Sequence, residues 1–198
     1  NAAGNYAIAN RWTLFQGINT VCEEVFGRSL TPIYEISHNL SQQEIGVDGD
    51  EVLVNRKGAT RAFPAGHPQL HNTKWESTGH PCLIPGSMLS GAAVLMPKVD
   101  ANKSGYSVNH GAGRLLGRGQ AKRELVDLHE MIDDEMGQKV QVFDYVEIEG
   151  IILNTEQAPL DECGYAYKDL DDVLHVLEVE EIAEVKHRML PIANIKGV

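Results

Sequence analysis

Cysteine is scarce in this chain. Cys22, Cys82 and Cys163 are the only three among 198 residues. An odd count at wide, unpatterned spacing excludes a disulfide scaffold and points to a reducing compartment. The expected location is therefore the cytoplasm. Long apolar runs are missing too. The longest, residues 91–97 (GAAVLMP), falls far short of the ~20 residues a membrane span needs, and no membrane partner is expected. Positive charge is in deficit: 17 Lys and Arg stand against 28 Asp and Glu, a net charge of −11. This excludes nucleic-acid binding driven by global charge, so any such contact must come from a local basic patch. No GxxxxGK[ST], no GxGxxG after a strand and no HExxH occurs, which weighs against a P-loop enzyme, a Rossmann dehydrogenase and a zincin. What remains is 42% apolar and 23% charged, as in an ordinary soluble globular protein. The length fits one domain or one and a half, with a real buried core.

The chain opens inside a helical pattern. Ala3, Tyr6, Ala7, Asn10, Leu14, Ile18, Val21 and Val25 keep roughly helical spacing, which predicts a packed helix from the first residues. No signal peptide is expected, and a chain that starts this way is expected to be a piece of something longer. Residues 30–36 (LTPIYEI) and 51–54 (EVLV) read as strands. Residues 56–66 (RKGATRAFPAG) read as a loop, and 66–81 as a surface excursion punctuated by Pro and Gly. Residues 91–96 suggest a buried strand, followed by a polar loop. From 112 to 136 the pattern is helical, with Leu115, Leu116, Leu125, Leu128, Ile132 and Met136 on the apolar side and Gly137 as the stop. Residues 138–153 look like strands, 168–177 like a short acidic-capped helix, and 182–195 like strand–turn–strand around Pro191. Helices and strands mix without βαβ alternation, which predicts an α+β fold of mixed sheets with packed helices.

One constellation stands out: residues 107–123, SVNHGAGRLLGRGQAKR. His110 lies against Gly111 and Gly113, which allow close backbone approach of a ligand. A helix start just after it would favour an anion. Arg114, Arg118, Lys122 and Arg123 add a basic stripe. Neutral imidazole is a competent nucleophile with a pKa suited to neutral pH. The same residues also suit a plain turn beside a solvated basic face. The turn Pro85-Gly86-Ser87-Met88, with Ser90 beyond, can offer amides and a hydroxyl to a phosphate, or serve simply as a turn. His38 beside Asn39 is a metal-ligand candidate or a structural histidine. Arg56, Lys57 and Arg61 around Gly58 either grip phosphate or line a solvated loop. His67, His71 and His80 match no zinc spacing, and His129, His175 and His187 fit surface or packing positions.

Taken in order, HN, RKGATRAFP, LIPGSM, SVNHGAGR, AYKDLDDV and a terminal IKG resemble the RtcB family of RNA-splicing ligases, from NYAIANR near residue 5 to Lys196. The resemblance implies an RtcB-like fold, with residues 1–198 forming the C-terminal portion of a single catalytic domain whose N-terminal part is missing. It implies a GTP- and manganese-dependent ligase that joins RNA 3′-phosphate or 2′,3′-cyclic phosphate ends to 5′-hydroxyl ends, with RNA ends as partners and a protein activator of the archease kind beside them. His110 matches the histidine that takes the guanylate, and Gly111, Ala112 and Gly113 match the cradle around its phosphate. His38 matches a manganese ligand and Asn39 its nucleotide-contacting neighbour. Pro85, Gly86, Ser87 and Met88 match a nucleotide-binding turn, Tyr167 and Lys196 residues around the guanine. Arg114 and Arg118 match basic residues for RNA phosphate. Two departures stand against this. Ala92 occupies the place of a nucleotide-contacting serine, and the family's other metal ligands (an aspartate, a bridging cysteine and two histidines) belong upstream of the matched stretch. The alternative is therefore a truncated or divergent module that binds guanine nucleotide or RNA ends without catalysis.

Overall fold

The computed structural model describes residues 2–124, 152–153 and 160–194. The expected helical positions Leu125, Leu128, Ile132 and Met136, the stop at Gly137, His129, the strand pattern up to residue 151, and Lys196 lie outside the described residues.

Helix α1, Ala2–Phe26, forms where helical spacing predicts it, but it is not packed as predicted: none of its described residues is buried. Its half-covered face is Gly4, Ala7, Arg11, Phe15, Asn19 and Cys22, a stripe at i, i+3/i+4 spacing. Tyr6, Leu14, Ile18, Val21 and Val25 face outward. The helix is fastened by polar contacts, with Arg11 donating to Ser37 Oγ at 2.8 Å and pairing with Glu35.

Residues 30–36 are not a strand. Pro32 cannot donate to a ladder, and the first strand begins later, at β1 (Asn39–Ile45). It pairs antiparallel with β2 (Glu51–Lys57) from Asn39↔Lys57 to Ile45↔Glu51. The expected loop at RKGATR is instead the continuation of β2 and a third strand, β3 (Ala59–Arg61), joined through Gly58 at φ +75°. Only glycine takes that conformation without strain. β3 pairs antiparallel with β6 (Ser107–Asn109).

The core lies on β4 (Cys82–Pro85), β5 (Ala92–Pro97) and β8 (Ala183–Met189), an antiparallel sheet with β5 in the middle. Helix α2 (Leu170–Val179) covers one face with Leu170, Leu174 and Leu177. The start expected at residue 168 is set by Asp169, whose carboxylate caps the Asp171 amide. Ile84, Ala93 and Leu95 meet this helix from the sheet, and Val108 and Ala112 join the same core. Val108 and Ala112, two residues either side of His110, are thus anchored in the buried core. The region 66–81 is no loose excursion, because it buries His67, Leu70 and His80. Part of the expected polar loop after β5 is a 3-10 helix, Val99–Ser104. β7 (Ile152–Leu153) and β9 (Ala193–Asn194) form a short parallel pair. These helices and small sheets make a mixed α+β architecture. Among the described residues, no helix is long and apolar enough to cross a membrane, and all three cysteines are free.

Candidate functional site

The site is built where three strand ends meet. His38 precedes β1, Gly58 joins β2 to β3, and His110 follows β6. The Gly58 amide donates to the carbonyl of His38 at 3.1 Å and to Asn39 Oδ1 at 3.0 Å. The His110 amide donates to the Gly58 carbonyl at 3.3 Å. The two imidazoles then stack, with centroids 4.4 Å apart and planes within 12°. A Cβ on Gly58 would lie 3.5 Å from His110 Cδ2 and 3.7 Å from Nε2, so this glycine leaves the reactive edge of the ring open. Burial lowers the His110 pKa, and the neighbouring His38 lowers it further. The ring is therefore neutral at pH 7, with a lone pair available.

The chain past His110 is shaped by glycine, but not by a helix start. The helical stretch begins at residue 118, not 112. Residues 111–117 form an irregular loop, with Gly113 at φ +79°. The Ala112 amide is already committed to the Pro85 carbonyl at 2.9 Å. Among the described residues, the amides of Gly111 and Gly113 have no protein acceptor. These two N–H groups, rather than a helix dipole, are the donors the loop has to offer an anion. Asn109 Nδ2 fixes the loop by donating to the Gly111 carbonyl at 2.7 Å.

The Ala112–Pro85 bond ties this loop to the Pro85–Met88 turn. That turn is held by its serines: the Ser87 amide donates to Ser90 Oγ at 2.8 Å, and the Leu89 and Ser90 amides donate to Ser87 Oγ. Met88 is buried, and its carbonyl accepts from Asn194. Ala92 opens β5 opposite Pro85 and Met189. Ser90 therefore shapes the turn. Gly91, at φ +73°, has no room for a side chain, since a Cβ would lie 2.0 Å from the Met189 carbonyl oxygen.

Tyr167 is brought to the same loop. It bridges Arg114 in an isolated antiparallel pair, and the Lys168 amide donates to the Gly113 carbonyl at 3.0 Å. The Arg114 guanidinium lies over the Tyr167 ring at 4.7 Å. Burial raises the Tyr167 pKa, and the hydrogen bond from its hydroxyl to Glu162 adds to the rise.

The cations around Gly58 do not act together on an open face. Arg56 is buried against Glu44 in a two-pronged ion pair, at 2.5 and 2.7 Å, and its Nε donates to Ser107 Oγ at 2.9 Å. Arg61 donates to Gln42 at 2.8 Å. Sequence reasoning missed the positioning roles of Gly58, Arg56 and Glu162. The one available signal was the lone acidic residue, Glu44, in the otherwise uncharged strand NLSQQEI. His71 pairs with Glu76, and His175 and His187 are exposed. Among the described residues, no group of three or more His, Cys, Asp or Glu is placed to hold a metal ion.

An imidazole beside two open backbone amides, on an α+β frame, is an arrangement suited to phosphate. The chain belongs to the RtcB family: the model described as tRNA-splicing ligase RtcB matches residues 1–197. The tRNA-splicing ligase RtcB of Thermococcus kodakarensis is 36% identical over 205 residues, covering 99% of this chain and 40% of that protein. That of Nanoarchaeum equitans is 35% identical over 207 residues, covering 99% and 41%. The RNA-splicing ligase RtcB of Mycobacterium tuberculosis is 34% identical over 201 residues, covering 99% and 43%. The chain spans about 40% of the length of these relatives.

Proposed function

We propose that this chain is the nucleotide-accepting part of the catalytic domain of a GTP-dependent RNA ligase, which joins 3′-phosphate or 2′,3′-cyclic phosphate ends to 5′-hydroxyl ends. The carrying observation is the exposed, neutral His110 ring, held by His38 and Gly58 beside the open amides of Gly111 and Gly113. In this reading His110 Nε2 attacks the α-phosphorus of GTP. The new N–P bond forms as the bond to pyrophosphate breaks, and the Gly111 and Gly113 amides hold the phosphate oxygens. Asn39, the Pro85–Met88 turn and Tyr167 then line the nucleotide, and Lys196 is assigned to the guanine by the family resemblance alone. The guanylate passes to the RNA 3′-phosphate, and the 5′-hydroxyl displaces it. Archease is the activator this reading admits.

Manganese fits less well. Of the described residues only His38 is assigned to it, and two stacked imidazoles alone make no manganese centre. That observation favours a second reading for the isolated chain, as a module that binds nucleotide or RNA ends without joining them.

The test is covalent labelling of the full-length protein with α-labelled GTP and manganese. The label should map to His110, be acid-labile and alkali-stable, and vanish in His110→Ala. The midpoint of the loss of labelling at acid pH should lie below the ordinary histidine value of 6.5, because burial and His38 lower the ring's pKa. A label elsewhere, or an undiminished label in His110→Ala, refutes the reading.

A further inference from the structure

The basic stripe beyond the site is exposed but largely paired with carboxylates. Arg118 Nη2 donates to Glu162 Oε1 at 3.0 Å. Arg114 Nη1 stands 3.9 Å from the same oxygen, and the Tyr167 hydroxyl donates to Glu162 Oε2 at 2.5 Å. Lys122 reaches the neighbouring Asp161 at 3.7 Å. One half-buried carboxylate is thus the meeting point of three residues assigned to the site, across 44 residues of chain in the case of Arg118.

The Arg114 guanidinium is only half used. Its Nε donates to the Leu116 carbonyl at 3.0 Å, and one Nη donates to the Asp161 carbonyl. Nη1 is buried and has no hydrogen-bond partner among the described residues. At 3.9 Å the Glu162 oxygen is too far to serve as one. The ring of Tyr167 holds the guanidinium in place from one side. Arg114, held rigid, and the exposed Arg118 both stand within 4 Å of one carboxylate oxygen, a pairing of guanidinium charge that a phosphate can share with that carboxylate.

We propose that Glu162 is an internal counter-anion that occupies Arg114 and Arg118 until a phosphate displaces it, and so sets the affinity of this face for the end of the RNA. The proposal rests on the RNA-joining reading. Glu162 is a positioning residue here: it touches the arginines and Tyr167, and no reacting atom. Carboxylate and phosphate compete for the same N–H donors, and the incoming phosphate binds with only the difference between the two. Displacement costs little on the Arg118 side, because that side chain is 72% exposed and such pairs are individually weak.

The experiment measures binding of a fluorescent oligoribonucleotide ending in a 3′-phosphate to the full-length protein at fixed ionic strength. Glu162→Gln keeps an acceptor for the Tyr167 hydroxyl and removes the charge. It should tighten binding about fivefold, the scale of one exposed ion pair. In an Arg118→Ala background the same substitution should gain clearly less, since only the longer Arg114 pair at 3.9 Å is then relieved, a result that a merely structural role for Glu162 would not produce. Glu162→Asp, which withdraws the charge by one methylene, should show a smaller gain and stands in should Glu162→Gln fail to fold. Unchanged or weaker binding in Glu162→Gln, or a gain undiminished without Arg118, overturns the proposal. Should the wild-type protein bind no RNA at all, the RNA-joining reading fails and inorganic phosphate decides the inference. Tighter phosphate binding by Glu162→Gln than by wild type then supports it, and equal binding overturns it.

Discussion

At the scale of the residue, the histidines divide by what their ring nitrogens do. His110 leaves an edge open to solvent, whereas His80 spends both nitrogens on backbone. Its Nε2 accepts from the Phe63 amide at 3.1 Å, so the proton sits on Nδ1, which donates to the Pro81 carbonyl at 3.2 Å. Tyr34 stacks on one face at 5.4 Å. Burial lowers its pKa to about 4, against the Pro81 carbonyl and with help from Arg61, His67 and Arg56. A folded pKa below the unfolded value means the unfolded chain takes up the proton first. Stability is full above about 6.5 and is lost as pH falls toward 4. The loss over that window should be about 3 kcal/mol from this ring. Urea denaturation at the two ends of the window checks it, and His80→Gln should flatten the dependence. An equally steep loss in His80→Gln assigns the acid sensitivity elsewhere. This buried role was not legible beforehand, because a lone histidine in a Pro/Gly-rich stretch carries no periodic signal. The exposed, glycine-shaped loop that carries His110 was legible, since Gly111 and Gly113 follow it in the sequence. Glu162 was not: its meaning depends on Arg118, which only the fold brings to it.

At the scale of the element, the hairpin β1–β2 matters because it carries one half of the site, and β6 carries the other. Arg56, held within the hairpin by its ion pair with Glu44, joins them by donating to Ser107 Oγ and, through Nη2, to the Tyr106 carbonyl at 3.2 Å. Both charged side chains are almost fully buried, at 6% and 2% exposure. Removing one partner leaves the other charge stranded, at a cost of about 3 kcal/mol or more. Glu44→Gln should therefore lower stability by that amount in chemical denaturation. It should also slow His110 labelling, as the His38–His110 stack loses its tether. The double variant Glu44→Leu/Arg56→Met should recover most of the stability. An unchanged midpoint for Glu44→Gln would show that the hairpin is held by its ladder alone. The elements themselves were partly readable. β5 and α2 follow from an apolar run and from Leu170, Leu174 and Leu177 at helical spacing with Asp169 as cap. β1 was not readable, because NLSQQEI is polar and its one buried side chain is a glutamate. α1 was found but its covered face was not, since the contact uses Gly4, Ala7 and Arg11 instead of the apolar stripe.

At the scale of the whole molecule, the apolar surface left uncovered is the feature that governs behaviour in solution. Tyr6, Leu14, Ile18, Val21, Val25 and Phe26 of α1 are each more than half exposed. A cavity of about 780 Å³ opens beside Trp12 and Phe15, against Leu83, Val94 and Met96 on the sheet face that α2 does not cover. Exposed apolar patches on this scale drive association. The net charge of −11 opposes it, but over a Debye length of only ~8 Å at physiological salt. The 198-residue chain, purified alone, should therefore self-associate, and raising the salt concentration should strengthen association by screening the repulsion. Sedimentation velocity across concentration and salt measures this, and Ile18→Glu with Val21→Glu should shift the chain toward monomer. The same chain should not join RNA ends with GTP and manganese, since its described residues bring two imidazoles together and no third metal ligand. Supplying in trans the part of a relative that this chain does not match, more than half of its length, should restore joining and suppress self-association together, because one docking event would cover the apolar face and complete the metal site. A monomer at every salt concentration would mean that the apolar face is tolerated as it stands, and RNA joining by the chain alone would mean that its own residues beyond His38 and His110 suffice for the chemistry.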